Sequence, residues 1–212
     1  MNKYSSIGEK NKVPLGISWQ EMSKILKQTE WLGQLWLPKG YLVLVTGESG
    51  VGKSFFLIYL IGVITQGFKF PDEFVYTGNC KRVVWIEAEA AQAMNNERAE
   101  KMGIDLENIN SFTEDPFKDF QITNPSDQKR LRELAGRDDI EVIMIDSLSG
   151  INTSDENSSD MSKHLKKLAE IARDTNTIII LTHHLRKKSI IREANDRLER
   201  VRGSSGDRKS VV

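Results

Sequence analysis

Four short stretches of this chain are apolar almost without interruption: residues 41–46 (YLVLVT), 82–87 (RVVWIE), 140–145 (IEVIMI) and 177–182 (TIIILT). Runs of this length, rich in Val and Ile, predict strands buried on both faces of a sheet. Between them the apolar positions recur at helical spacing. Residues 18–29 carry Met22, Ile25 and Leu26 on one face, and a helical run extends from after Gly52 to about Gln66. Further helices are predicted over 91–102, over 127–135 with Ser126 as cap, and over 158–173. In the last of these Met161, Leu165, Leu168 and Ala172 share a face. Phe112 marks a short additional strand, and Leu37-Pro38-Lys39-Gly40 reads as a turn. Strands alternating with helices predict an α/β fold with a mostly parallel sheet covered on both faces. Residues 1–17 read as a flexible polar lead-in, and residues 18–212 as one folded domain. The terminal Val211-Val212 resembles the start of a further strand, the pattern of a truncated chain.

Composition narrows the class. Of 212 residues, 39% are hydrophobic and 28% charged, which suits a globular domain. Lys+Arg and Asp+Glu both number 30, so a general polyanion-binding surface is excluded and any nucleic-acid contact must be local. The single Cys80 forms neither an internal disulfide nor a metal cluster by itself. The N-terminus lacks the apolar core of a secretion signal, and no apolar run approaches the ~20 residues of a membrane helix. The expectation is a cytoplasmic protein with no membrane partner.

The strongest chemical signal is Gly47-Glu48-Ser49-Gly50-Val51-Gly52-Lys53-Ser54, followed by Phe55. It matches G-x-x-x-x-G-K-[ST] and lies between a predicted strand and a predicted helix. Glycines let backbone N–H groups turn inward around phosphates, and the helix start adds a positive dipole end. Lys53 is expected to reach the β- and γ-phosphates of ATP, and the Ser54 hydroxyl to ligate Mg²⁺. Asp146 ends the strand over 140–145, where a carboxylate either holds Mg²⁺ through water or caps the next segment.

Hydrolysis also needs a group that positions water. The residue after Asp146 is Ser147, so the candidates are Glu87 and Glu89 at the end of the second strand. Either also suits the start of the following helix, and spacing does not choose between them. After the last strand come Thr182-His183-His184, a polar strand end suited to reading the γ-phosphate; no ligand-spaced Cys or carboxylate makes it a metal site. Beyond it, Arg186, Lys187, Lys188, Arg192, Arg197, Arg200, Arg202, Arg208 and Lys209 outnumber Glu193, Asp196, Glu199 and Asp207. This segment reads as a grip on a nucleic-acid backbone, as a source of an arginine finger, or as a solvated helix with pairs such as Glu193–Arg197 and Asp196–Arg200.

The order and spacing of these segments resembles a known family. They are Leu37-Pro38-Lys39-Gly40, the Gly47–Ser54 loop, Trp85-Ile86-Glu87-Ala88-Glu89 with Arg98 and Gly103, Ile145-Asp146-Ser147-Leu148-Ser149, Asp155-Glu156-Asn157, Leu181-Thr182-His183-His184-Leu185-Arg186-Lys187 and Arg202-Gly203-Ser204-Ser205. Together, over about residues 18–205, they resemble the RecA-fold P-loop ATPases of the RepA type. These are hexameric replicative helicases of some plasmids, with AAA-named relatives in phages and mobile elements. The resemblance implies a RecA-like ATPase domain over 18–212, ATP and Mg²⁺ as ligands, single-stranded DNA as partner and a hexameric homo-oligomer. It also implies Glu89 as catalytic glutamate, His184 as sensor and Arg202 as a finger into the adjacent subunit. Ala90 stands where the family usually has Asp, and Glu87 where it has a neutral residue.

Overall fold

The computed structural model describes residues 16–33, 35–76, 82–115, 118–151 and 159–185. Cys80, the Asp155-Glu156-Asn157 segment and everything from Arg186 onward, Arg202 and Val211-Val212 included, lie outside the described residues.

The chain divides into two compact units, 1–30 and 31–212. The first contains helix α1 (Trp19–Ile25). The Ser18 hydroxyl accepts from the Glu21 N–H, and the Glu21 carboxylate accepts from the Ser18 N–H at 2.9 Å, a reciprocal capping box. Leu26 turns to an extended conformation, so the helix stops short of the predicted residue 29. A helix this short has little intrinsic stability to propagate through Lys27-Gln28-Thr29.

The second unit opens with a hairpin of β1 (Trp31–Leu32) and β2 (Leu37–Pro38). The predicted turn at 37–40 is therefore half strand. The turn itself is confined to Lys39-Gly40, where Gly40 takes a φ of +77°. Next come β3 (Leu42–Gly47), α2 (Lys53–Gln66), β4 (Arg82–Glu87), α3 (Gln92–Lys101) and β5 (Ile109–Ser111). They are followed by α4 (Pro125–Ala135), β6 (Ile140–Asp146), the short α5 (Leu148–Ile151), α6 (Ser159–Thr175) and β7 (Ile178–His184). β3, β7, β6, β4 and β5 form one five-stranded parallel sheet in that order. This is the predicted α/β architecture, a parallel central sheet with a helix-lined core on each face.

Alternation along the strands explains their unbroken apolar pattern. Val83, Trp85, Val142, Met144, Ile178 and Ile180 face a core with α2 and α3. Val84, Ile86, Ile143, Ile145, Ile179 and Leu181 face a second core with α4 and α6. Helix α2 is apolar on most sides because it is nearly engulfed; Leu57, Ile58, Leu60, Ile61, Val63 and Ile64 are all buried. Each such side chain contributes about 1.5–3 kcal/mol by leaving water.

Two local expectations are corrected. The short strand expected at Phe112 is β5, Ile109–Ser111, and ends just before Phe112, which is instead buried edge-on against Phe120 at 4.9 Å. Helix α4 is capped by Asn124, whose side chain accepts from the Ser126 N–H at 2.9 Å. Pro125 takes the first helical position, where its missing N–H costs nothing, and this moves the cap one residue ahead of it.

Candidate nucleotide site

All five strands run the same way, so their carboxyl ends share one edge of the sheet. Register aligns Gly47 of β3 with His184 of β7, and Glu87 of β4 with Asp146 of β6. Ligands of open parallel sheets bind along this edge.

The phosphate loop leaves β3 and becomes α2 at Lys53. Gly50 and Gly52 have φ of +81° and +94°, a region L side chains rarely adopt, with open space around both. At Gly47 a Cβ would make a tight contact, 3.1 Å, with Cγ2 of Val51. Glu48, Ser49 and Val51 are exposed, as is Phe55 in the first turn of α2, and Ser54 is half-buried. Lys53 is buried. Its ammonium donates to the carbonyls of Gly47 and Glu48 at 3.1 and 2.9 Å and to Nδ1 of His184 at 3.0 Å. An ammonium has three N–H groups and no acceptor, so Nδ1 of His184 must be the acceptor. The imidazole is then neutral, and its proton lies on Nε2, which donates to Oε1 of Glu89 at 2.7 Å.

Glu89 receives a second donor. Ser147 Oγ donates to the same oxygen at 2.5 Å, and having spent its proton it accepts from Ser149 Oγ at 2.7 Å. Burial is the largest single influence on the Glu89 carboxyl and pushes its pKa up. The hydroxyl of Ser147, the imidazole of His184 and the charge of Lys53 together outweigh it and hold the pKa below the ordinary value of 4.5. The structure thus gathers Lys53, His184, Glu89 and Ser147 in one hydrogen-bonded chain.

Glu87 points elsewhere. Its carboxylate accepts from Asn95 Nδ2 at 2.8 Å, from Trp85 Nε1 at 3.2 Å and from the backbone N–H of Glu89 at 2.9 Å. It also lines a cavity of about 290 Å³ at the ends of β4 and β5, shared with Gln92, Asn96, Ser111 and Thr113, to one side of the phosphate loop. The two glutamates left open by the sequence therefore have different surroundings, and only Glu89 meets Lys53's partner.

Asp146 is 2% exposed. Its Oδ1 accepts from Thr182 Oγ1, and its carbonyl accepts from the Ala88 N–H at 2.8 Å. The carboxylate and the Ser54 hydroxyl are hard oxygen donors of the kind Mg²⁺ selects, so the residues present fit that ion. Ser147 and Asn95 had no assigned role in the sequence, and Thr182 entered only as part of the polar strand end Thr182-His183-His184. The only signal for Ser147 was its place directly after the strand that ends at Asp146. His183 alternates to the face opposite His184, and its Nδ1 is buried without a partner among the described residues. The Arg98 guanidinium lies 4.5 Å from the centre of the Phe55 ring.

Among solved structures, the chain is similar to that titled "Crystal structure of the RadB recombinase", at 20% identity, with 73% of this chain and 67% of that chain covered and a TM-score of 0.45. No curated protein matches it. No helix among the described residues is long and apolar enough to cross a membrane. Residues 13–189 match the family of AAA domains designated AAA_25, a stretch that takes in the phosphate loop, Glu89, Asp146 and His184, and the chain belongs to that family of P-loop ATPases.

Proposed function

We propose that this protein is a Mg²⁺-dependent ATPase that works as a RepA-like hexameric helicase or translocase on single-stranded DNA. The observation that carries the ATPase part is the chain Lys53–His184–Glu89, which joins a phosphate-loop lysine to a carboxylate held ionised. On binding ATP, Lys53 exchanges the Gly47 and Glu48 carbonyls for phosphate oxygens. The loop's backbone N–H groups and the start of α2 surround the same anion. Ser54 and Asp146 would hold the Mg²⁺, which supplies charge neutralisation of the phosphates when bound.

Glu89 orients a water and accepts its proton as the oxygen attacks the γ-phosphorus and the bond to the bridging oxygen breaks, releasing ADP and phosphate. His184, bonded to both Lys53 and Glu89, is suited to register whether the γ-phosphate is present. Phe55 and Arg98, beside the loop, offer a surface for the base.

The DNA partner, the hexamer and the finger role of Arg202 rest on the family resemblance and on the basic segment after Leu185. The test is the steady-state ATPase rate with and without single-stranded DNA, with Lys53→Ala as blank. Stimulation that disappears in the blank supports the motor. A rate indifferent to DNA replaces it with a regulatory ATPase switch acting on a protein. No rate in either condition removes the enzyme assignment.

A further inference from the structure

Glu87 is not idle. Its carboxylate is an acceptor only, so the Asn95 amide facing it must present its nitrogen, and Asn95 Oδ1 must face the other way. There it accepts from Arg98 Nη1 at 2.8 Å. Both ends of the Asn95 amide are thus fixed by chemistry, and the residue is 5% exposed. The same Arg98 guanidinium stacks on Phe55, the residue after Ser54 in the first turn of α2. At the other end, Glu87 holds the backbone N–H of Glu89 directly before Ala90, whose φ is +54°. Trp85, almost fully buried, anchors the carboxylate through its indole.

We propose that Glu87 is a positioning residue, coupling the first turn of α2 to Glu89 through Asn95, Arg98 and Phe55. A nucleotide that shifts or rigidifies that turn moves the Phe55–Arg98 stack, and the two amide bonds pass the change to the backbone of Glu89. The relay rests on the reading of Glu89 as the water-orienting residue. It adds that the carboxylate's aim is set from the phosphate-loop side through Asn95 and Glu87, to which the reaction itself assigns no contact with phosphate or water.

The test compares the whole protein with Glu87→Gln, Asn95→Ala, the double variant and Glu89→Gln, measuring kcat, KM, thermal midpoint and affinity for a fluorescent ATP analogue. Glu87→Gln and Asn95→Ala should each lower kcat about 10- to 100-fold, because small misplacements of a catalytic group cost that much. Analogue affinity should stay within about twofold, and the double variant should be no slower than the worse single one, as expected for one shared pathway. An unchanged kcat in either single variant overturns the relay. So do losses that multiply in the double variant, or losses of kcat and affinity that track a lowered thermal midpoint. Glu89→Gln hydrolysing ATP at the wild-type rate would instead bring down the assignment of Glu89, and with it the relay's endpoint.

Discussion

Lys53 donates to Nδ1 of His184 at 3.0 Å, so the phosphate-loop lysine and the histidine at the end of β7 are in direct contact. The imidazole's other nitrogen is spent on Glu89. Replacing His184 by Ala therefore leaves Glu89 without one of its two side-chain donors. The expected result is a loss of about 10- to 100-fold in kcat with nucleotide affinity largely kept. His184→Gln should recover part of the loss, since one amide both accepts and donates. Single-turnover ATPase rates on the two variants check this.

The pH dependence follows from Glu89. Its pKa is held below the ordinary 4.5, so the ionised form survives to more acid pH than for an isolated glutamate. A depressed carboxyl pKa stabilises the fold fully above the unfolded value, and that contribution disappears as pH falls through the folded value. The acid limb of the ATPase profile should lie below pH 4.5 if Glu89 sets it. Ser147→Ala removes one influence that lowers the pKa and leaves burial in place, so the limb should move to higher pH. A pH–kcat profile of both proteins measures the shift.

Thr182→Val removes the hydroxyl that donates to Oδ1 of Asp146 while keeping the shape of the side chain. Groups behind a metal ligand hold it in orientation, and their loss typically costs about 10- to 100-fold in metal affinity. The ATPase rate should then need a higher Mg²⁺ concentration for half-saturation, with the maximal rate little altered. Titrating Mg²⁺ at saturating ATP reads this directly.

Gly150 sits where the backbone leaves no room for a side chain. A Cβ there would fall 2.0 Å from the Ala88 carbonyl oxygen, on the segment that carries Glu89. Gly150→Ala should destabilise by about 1–3 kcal/mol, the usual range for overpacking. It should also lower kcat by pushing Ala88 away from α5. Thermal melts and ATPase rates on the same preparation separate the two effects.

Much of this was legible in the sequence, and for identifiable reasons. The phosphate loop is a local motif, and the strand over 82–87 was bounded by its own apolar run. The cap of α4 was not legible: Ser126 is as good a capping residue in isolation, and it is the fit of Pro125 to the first helical position that places the cap at Asn124. Spacing did not separate Glu87 from Glu89, and only the resemblance favoured Glu89. What distinguishes their surroundings is Ser147 and His184, 58 and 95 residues away from Glu89, which meet it only once the sheet is assembled. Strand β5 was misplaced because Ile109-Asn110-Ser111 holds one strongly apolar residue and takes its order from β4.

Among the described residues, β3 has a sheet neighbour on one side only, and that neighbour is β7. Gly47 sits in register with His184, and the Leu185 N–H donates to the Gly47 carbonyl at 3.0 Å. The strand that leads into the phosphate loop is therefore braced within the sheet by β7 alone. Any tug on it by nucleotide is borne by β7 first, and Arg186, where the basic stretch of sequence begins, is only one residue beyond that bond.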